Sequence, residues 1–201
     1  RKFSEFTWKT GIDWFWREEN MLYFTASTGF LAGGFNRFTP IATSPVQSVF
    51  YQPETILNFE WGSKNRFLDD RLQLNALIFY NEITDQQVYT FDTSVPSSVI
   101  DNSGSSETFG VEIEMQAIPT DQLFITATLA YIDAYYVEWD GFSDGFGTFV
   151  NVADNKRITS PEWTGGITAS YEIPLGDMGT LTPHIQFAFK DDYWVTPLND
   201  P

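Results

Sequence analysis

The chain has 201 residues, no cysteine and a formal charge of -16, so disulfide frameworks, thiolate nucleophiles and zinc-thiolate sites are excluded. The charge is unevenly spread: residues 1 to 81 carry 8 acids and 8 bases, residues 82 to 201 carry 19 acids and 3 bases. No basic stripe is available to neutralise phosphates, which argues against nucleic acid as a partner.

Aromatic residues reach 17%, with 19 Phe, 9 Tyr and 7 Trp, and such side chains favour pleated, half-buried surfaces. The longest apolar run, Ala76 to Tyr80, is too short for a membrane-spanning helix. A mean hydropathy of -0.22 still allows contact with lipid through strands, because a barrel strand shows lipid only alternate residues.

Residues 5 to 17 place Phe6, Trp8, Ile12, Trp14 and Trp16 on one face and Glu5, Lys9, Asp13 and Arg17 on the other. A turn at Glu18 to Asn20 leads into a strand whose apolar face holds Leu22, Phe24, Ala26 and Phe30. The stretch 31 to 52 has no sustained period and reads as a long loop. Residues 53 to 81 form the next hairpin, in which Leu57, Phe59 and Trp61 alternate with Asn58, Glu60 and Gly62. After Asp69-Asp70 the alternation resumes with Leu72, Leu74, Ala76, Ile78 and Tyr80.

A second irregular stretch is expected from about Asp92 to Ser106, where serine is frequent. In the third hairpin Phe109, Val111, Ile113, Met115 and Ala117 alternate with Gly110, Glu112, Glu114 and Gln116. Pro119 to Gln122 make its turn, and Leu123, Ile125, Ala127, Leu129 and Tyr131 continue the apolar face. The longest loop covers about 138 to 160. A fourth hairpin has Trp163, Ile167, Ala169, Tyr171 and Ile173 outward, a turn at Gly176 to Gly179, and Leu181, Ile185, Phe187 and Phe189 on the return.

The pattern gives an all-β, antiparallel up-and-down sheet of about eight strands, with short turns at one end and long loops at the other. The strands are long enough to cross a bilayer, and Trp14, Trp16, Tyr51, Tyr135, Tyr136, Trp163, Tyr193 and Trp194 gather near strand ends, where interfacial girdles form. This predicts a wall of a transmembrane β-barrel in contact with outer-membrane lipid.

Enzyme chemistry finds little support. His184, the only histidine, alternates with Ile185 on a strand and reads as a polar barrel-interior residue. Glu112 and Glu114 share a strand face with Gly110 and Gln116, as a hydrated interior explains. The segment from Asp140 to Gly145 only partly matches a calcium loop, since Phe142 stands where a carboxylate is needed and Asn151 where Glu is needed. No cofactor or metal is implied. The loops offer Phe35, Arg37 and Phe38 in the first, and Trp139, Phe142, Phe146 and Phe149 in the third, a mixture of aromatic platforms with a cation. Ligand capture by stacking, and packing of the loops on one another or against lipopolysaccharide, both fit that composition.

Several segments together resemble the carboxy-terminal barrel of TonB-dependent outer-membrane receptors: STGFLAGGFN at 27 to 36, YQPETILNFEWGSKNRFLDDRLQLNALIFYNEITDQQV at 51 to 88, SGSSETFGVEIEMQAIPTDQLFITATLAYIDAYY at 103 to 136, and SPEWTGGITASYEIPL at 160 to 175. The resemblance spans nearly the whole chain, in order, and treats residues 1 to 201 as part of one barrel domain. It implies a 22-stranded, plugged barrel in the outer membrane of a Gram-negative bacterium. Such a barrel imports a large scarce solute such as a ferric siderophore, energised by the TonB complex through an amino-terminal region. Neither that region, the plug nor the closing carboxy-terminal strands is found in this sequence. The alternatives are another outer-membrane β-barrel channel and a soluble all-β carbohydrate-binding domain.

Overall fold

The computed structural model describes residues 2–36, 50–92, 97–139, 142–143 and 148–200. Eight strands form one antiparallel sheet in chain order: β1 (Lys9–Arg17), β2 (Asn20–Leu31), β3 (Glu54–Phe67), β4 (Leu72–Asp92), β5 (Ser97–Thr120), β6 (Leu123–Trp139), β7 (Trp163–Tyr171) and β8 (His184–Lys190). Each strand pairs only with its chain neighbours, so the sheet is an open wall with β1 and β8 as its edges.

The register confirms the sorting of side chains that the alternation predicts. On one face Trp61, Ile78, Val111, Tyr131 and Trp163 stand side by side across five strands. The adjoining row on that face runs Ala76, Ile113, Leu129, Gly165. On the other face Lys64, Asn75, Glu114 and Thr128 form a polar row. Hydrogen bonds cross the polar face: Ser27 Oγ donates to Asn58 Oδ1 at 3.4 Å, and Asn58 Nδ2 to Asn81 Oδ1 at 2.7 Å. His184, paired with Ser170, and Glu112 also lie on this face.

Of the large rings on the polar face, two are explained by glycines. Tyr23 lies opposite Gly62 and Phe79 opposite Gly110, each ring covering the space that a Cβ would occupy. An aromatic over a strand glycine restores packing that the missing side chain gives up. Gly110→Val should therefore force the Phe79 ring away and destabilise the wall by about 1 to 3 kcal/mol, the usual range for overpacking. Urea unfolding of the assembled protein would measure the loss.

The short connections are built locally. Leu68, Asp69 and Asp70 all take positive φ (58°, 54° and 65°), a region in which Asp is tolerated better than most residues. Arg71 then clips this turn to its neighbour: its Nε donates to the Ile118 carbonyl at 2.9 Å and its Nη1 lies 2.9 Å from Asp121 Oδ1. The connection from β7 to β8 turns at Gly176 to Gly179, where it is expected. It carries a two-residue ladder, Ile173–Pro174 with Thr180–Leu181, around a 3-10 turn at Gly176–Met178.

At the opposite end three expectations are corrected. Within the stretch from Asp92 to Ser106, the described residues Ser97 to Ser106 are not irregular but continue β5 and pair with β4 as a tall arm above the wall. Composition misled here: the ladder with Gln86–Asp92 supplies the pairing that Ser and Asn propensities do not suggest. The stretch 31 to 52 holds a short ladder, Gly34–Phe35 with Phe50–Tyr51. Tyr136, expected in an interfacial girdle, is instead buried, with 3% of its surface exposed.

Candidate ligand-facing end

Among the described residues no second layer covers the wall, and large apolar side chains remain open, Trp61 at 63% and Ile78 at 46% exposure. The one buried hydrophobic cluster among the described residues sits at the loop end. It joins Val88 from β4, Tyr136 and Trp139 from β6, and Val152 from the segment that follows, with Phe142 and Leu198 packed against it. Trp139 meets Tyr136 and Phe142 edge to face, at ring distances of 4.9 and 5.4 Å.

Residues 152 to 162 are laid along β6 by their backbone. Asp154 N–H donates to the Tyr136 carbonyl at 2.8 Å, Tyr136 N–H to that of Asn155 at 2.9 Å, and Arg157 N–H to that of Ala134 at 2.9 Å. Asn199 holds Lys156 from the other side: its Oδ1 accepts from the Lys156 N–H at 2.7 Å and its Nδ2 donates to the Lys156 carbonyl at 3.0 Å. Lys156 Nζ lies 2.7 Å from both Asp133 Oδ1 and Glu162 Oε1.

Hydrogen bonds to Asp133, and next to Glu162, outweigh the opposing effect of partial burial and hold the Lys156 ammonium above its ordinary range. A raised folded-state value means the contribution is complete below the ordinary value of 10.5 and is lost as pH climbs through the higher folded value. The anchor should therefore persist through neutral pH and weaken only in strongly alkaline solution. Lys156→Met should loosen residues 152 to 162 at neutral pH by about 1 kcal/mol or less, since all three side chains are more than a third exposed. Limited proteolysis across a pH series would read both effects.

The residues singled out in the sequence fall into three groups. Phe35 is 56% exposed and rests edge-on against Phe50 at 4.8 Å. Trp139 is only 4% exposed, so it is a buttress of the loop end rather than an open platform, and Phe142 is half-buried beside it. Arg37, Phe38 and Phe146 lie outside the described residues, as do Asp140, Asp144 and Gly145 of the suggested calcium loop. Phe149 is 65% exposed, in a two-residue ladder with Phe142–Ser143. Sequence reasoning missed Asn36, Gln87 and Asn102, whose side chains tie neighbouring loop-end elements together. No pattern marks them, because each depends on a partner distant in the chain.

At the turn end the polar face holds a cavity of about 550 Å³, bordered by Lys64, Arg66, Glu112 and Glu114, with Tyr23 and Phe15 among its walls. Its charges are of both signs. Among the described residues no group of three His, Cys, Asp or Glu side chains is placed to hold a metal ion.

Residues 1–200 match the family model described as TonB dependent receptor-like, beta-barrel. The chain belongs to this TonB-dependent receptor family. It is 24% identical over 152 residues to the metal-pseudopaline receptor CntO of Pseudomonas aeruginosa, a match covering 76% of this chain and 20% of that protein. The chain thus spans about a fifth of the length of the relatives it matches. Among solved structures it resembles the ferric yersiniabactin uptake receptor FyuA of Yersinia pestis, with a TM-score of 0.74 at 16% identity, over 95% of this chain and 26% of the other. BauA, the ferric preacinetobactin receptor of Acinetobacter baumannii, gives a TM-score of 0.71 at 13% identity, over 95% and 26% of the two chains. At such identities these likenesses establish the fold of a TonB-dependent receptor barrel, and the relatives are receptors rather than enzymes.

Proposed function

We propose that this chain forms part of the wall of an outer-membrane receptor in a Gram-negative bacterium, taking up a metal chelate of the siderophore type with energy from the TonB complex. One observation carries the reading: the apolar face is continuous across all eight strands yet uncovered, while the buried cluster lies at the loop end. A soluble sheet would need a second layer over that face. Lipid supplies the cover in a barrel wall, and the alternating stretch from Phe109 to Ala117 suits the roughly 9 to 11 tilted residues of a membrane-crossing strand.

In this reading the polar face lines the barrel interior, and the mixed-charge cavity at the turn end faces the plug of the complete receptor. The loop end faces the medium and the lipopolysaccharide. Phe35, with Arg37, Phe38 and Phe146 chosen on sequence alone, contacts the ligand, and Trp139 and Phe142 support the surface from beneath. The relatives are receptors for metal-pseudopaline, ferric yersiniabactin and ferric preacinetobactin, which supports a metal chelate as the cargo class.

The test is a growth and uptake assay in a Gram-negative host lacking its own siderophore receptors, supplied with the full-length gene product and a panel of ferric siderophores. Uptake of at least one chelate that depends on TonB supports the proposal; failure with every chelate and a protein that stays in solution without detergent overturn it. Protease added to intact cells should cut between Trp139 and Asn155 and spare the turns at Asp69-Asp70 and Thr120-Asp121. Cleavage at those turns from outside would reverse the orientation.

A further inference from the structure

The arm formed by the upper parts of β4 and β5 is set off from the wall by a belt of irregularities. The ladder shifts register between Ile83 and Gln86 and again between Gln86 and Gln87, and on the other flank between Ser105 and Ser106. Asp85 within the belt has a φ of 52°. A bulge leaves residues outside the ladder and bends the strand, so regular pairing is weakest along this line.

Side-chain amides bridge the arm to the neighbouring ladder that carries Phe35. Asn102 Nδ2 donates to the Asp85 carbonyl at 2.7 Å and to the Gln52 carbonyl at 3.0 Å, while its Oδ1 accepts from the Gln52 N–H at 2.6 Å. Gln87 Nε2 donates to the carbonyls of Ala32 and Gln52, both at 3.1 Å, and points to that of Leu31 at 3.4 Å. Farther up, Asn36 pairs with Ile100 as a second peptide would: Nδ2 donates to the Ile100 carbonyl at 2.7 Å and Oδ1 accepts from its N–H at 2.8 Å. The two elements are thus latched at two levels, whereas the belt below them has lost ladder bonds on both flanks.

We propose that the arm and the Phe35 ladder form one body, hinged on the belt of bulges and latched by Asn36, Gln87 and Asn102, so that a ligand touching either element moves both. The proposal rests on the reading of this end as ligand-facing, but the coupling itself is a property of the empty protein. Separating the two elements would break the bonds of all three latches together, while bending at the belt would leave those to Gln52 and Ile100 in place. Motion should therefore follow the belt.

Coupling is tested by residue-resolved hydrogen exchange on the full-length gene product in lipid, with no ligand present. The Ile100 amide is bonded to Asn36, whereas the side-chain bonds of Asn102 and Gln87 run to Asp85, Gln52, Ala32 and Leu31. If the latches act as one, Asn102→Ala should accelerate exchange at Ile100 by about tenfold, as loss of a cooperative unit requires. Gln87→Met, which removes the donor while keeping the side-chain length, should do the same, and the amide of Ile113 in the wall should be unaffected. Faster exchange at Gln52 with Ile100 unchanged would show independent latches and overturn the proposal. Should either variant fail to assemble, Asn36→Ala read at the Gln52 amide is the reciprocal measurement, decided by the same contrast. Because no ligand enters the experiment, a failure of the uptake reading leaves this result interpretable.

Discussion

An arginine at Ile113 is expected to destabilise the assembled barrel by about 2 to 4 kcal/mol, the cost of a cation at the lipid-facing midplane of a membrane strand. Ile113 is central to the apolar face, with Ala76 on one side and Leu129 on the other. Its long axis of apolar neighbours leaves a guanidinium no nearby partner on that row. Gln116→Arg, one pleat over on the polar face between Gln73 and Thr126, should cost little, because that side chain reaches water and carboxylates. Folding titrations into lipid vesicles would compare the two. Equal tolerance would remove the lipid-facing assignment, since nothing else distinguishes neighbouring residues of one strand so sharply.

The parts of the fold that were legible in the sequence are those where a side chain's own character decides its face. Leu72, Leu74, Ile78 and their partners Ala117, Met115 and Val111 each needed an apolar setting, and period two placed them all on one side without reference to any other strand. Register followed from short turns such as Asp69-Asp70. Where long-range partners decide, the sequence is silent or misleading. Ser97 to Ser106 read as loop, since their ladder exists only because Gln86–Asp92 stand opposite. Phe79 reads as an error on the polar face until Gly110 is seen beneath it. In the candidate site, Phe35 was legible as a loop aromatic, and it is exposed, but the short ladder that carries it was not. Trp139 was not legible as buried, because Val88 and Val152, which enclose it with Tyr136, come from separate stretches with no local signal.

That burial changes what the removal of Trp139 should do. Trp139→Ala empties the centre of the loop-end cluster, and loss of a buried Trp typically costs about 3 to 5 kcal/mol. The cost falls on the segment from Val152 to Glu162 and on the base of the arm near Val88, not on the wall below, whose strands pair independently of this cluster. Protease should then cut residues 152 to 162 much faster while the barrel remains assembled on gels run without heating. Trp139→Phe separates packing from hydrogen bonding. The indole Nε1 is buried without a hydrogen-bond partner among the described residues, so deleting it relieves an unsatisfied donor rather than breaking a bond. The Phe variant should consequently retain most of the protection, losing only the volume difference between the rings. If instead Trp139→Phe proves as damaging as Trp139→Ala, the indole nitrogen has a partner in the assembled receptor, and the buttress described here acts through that bond.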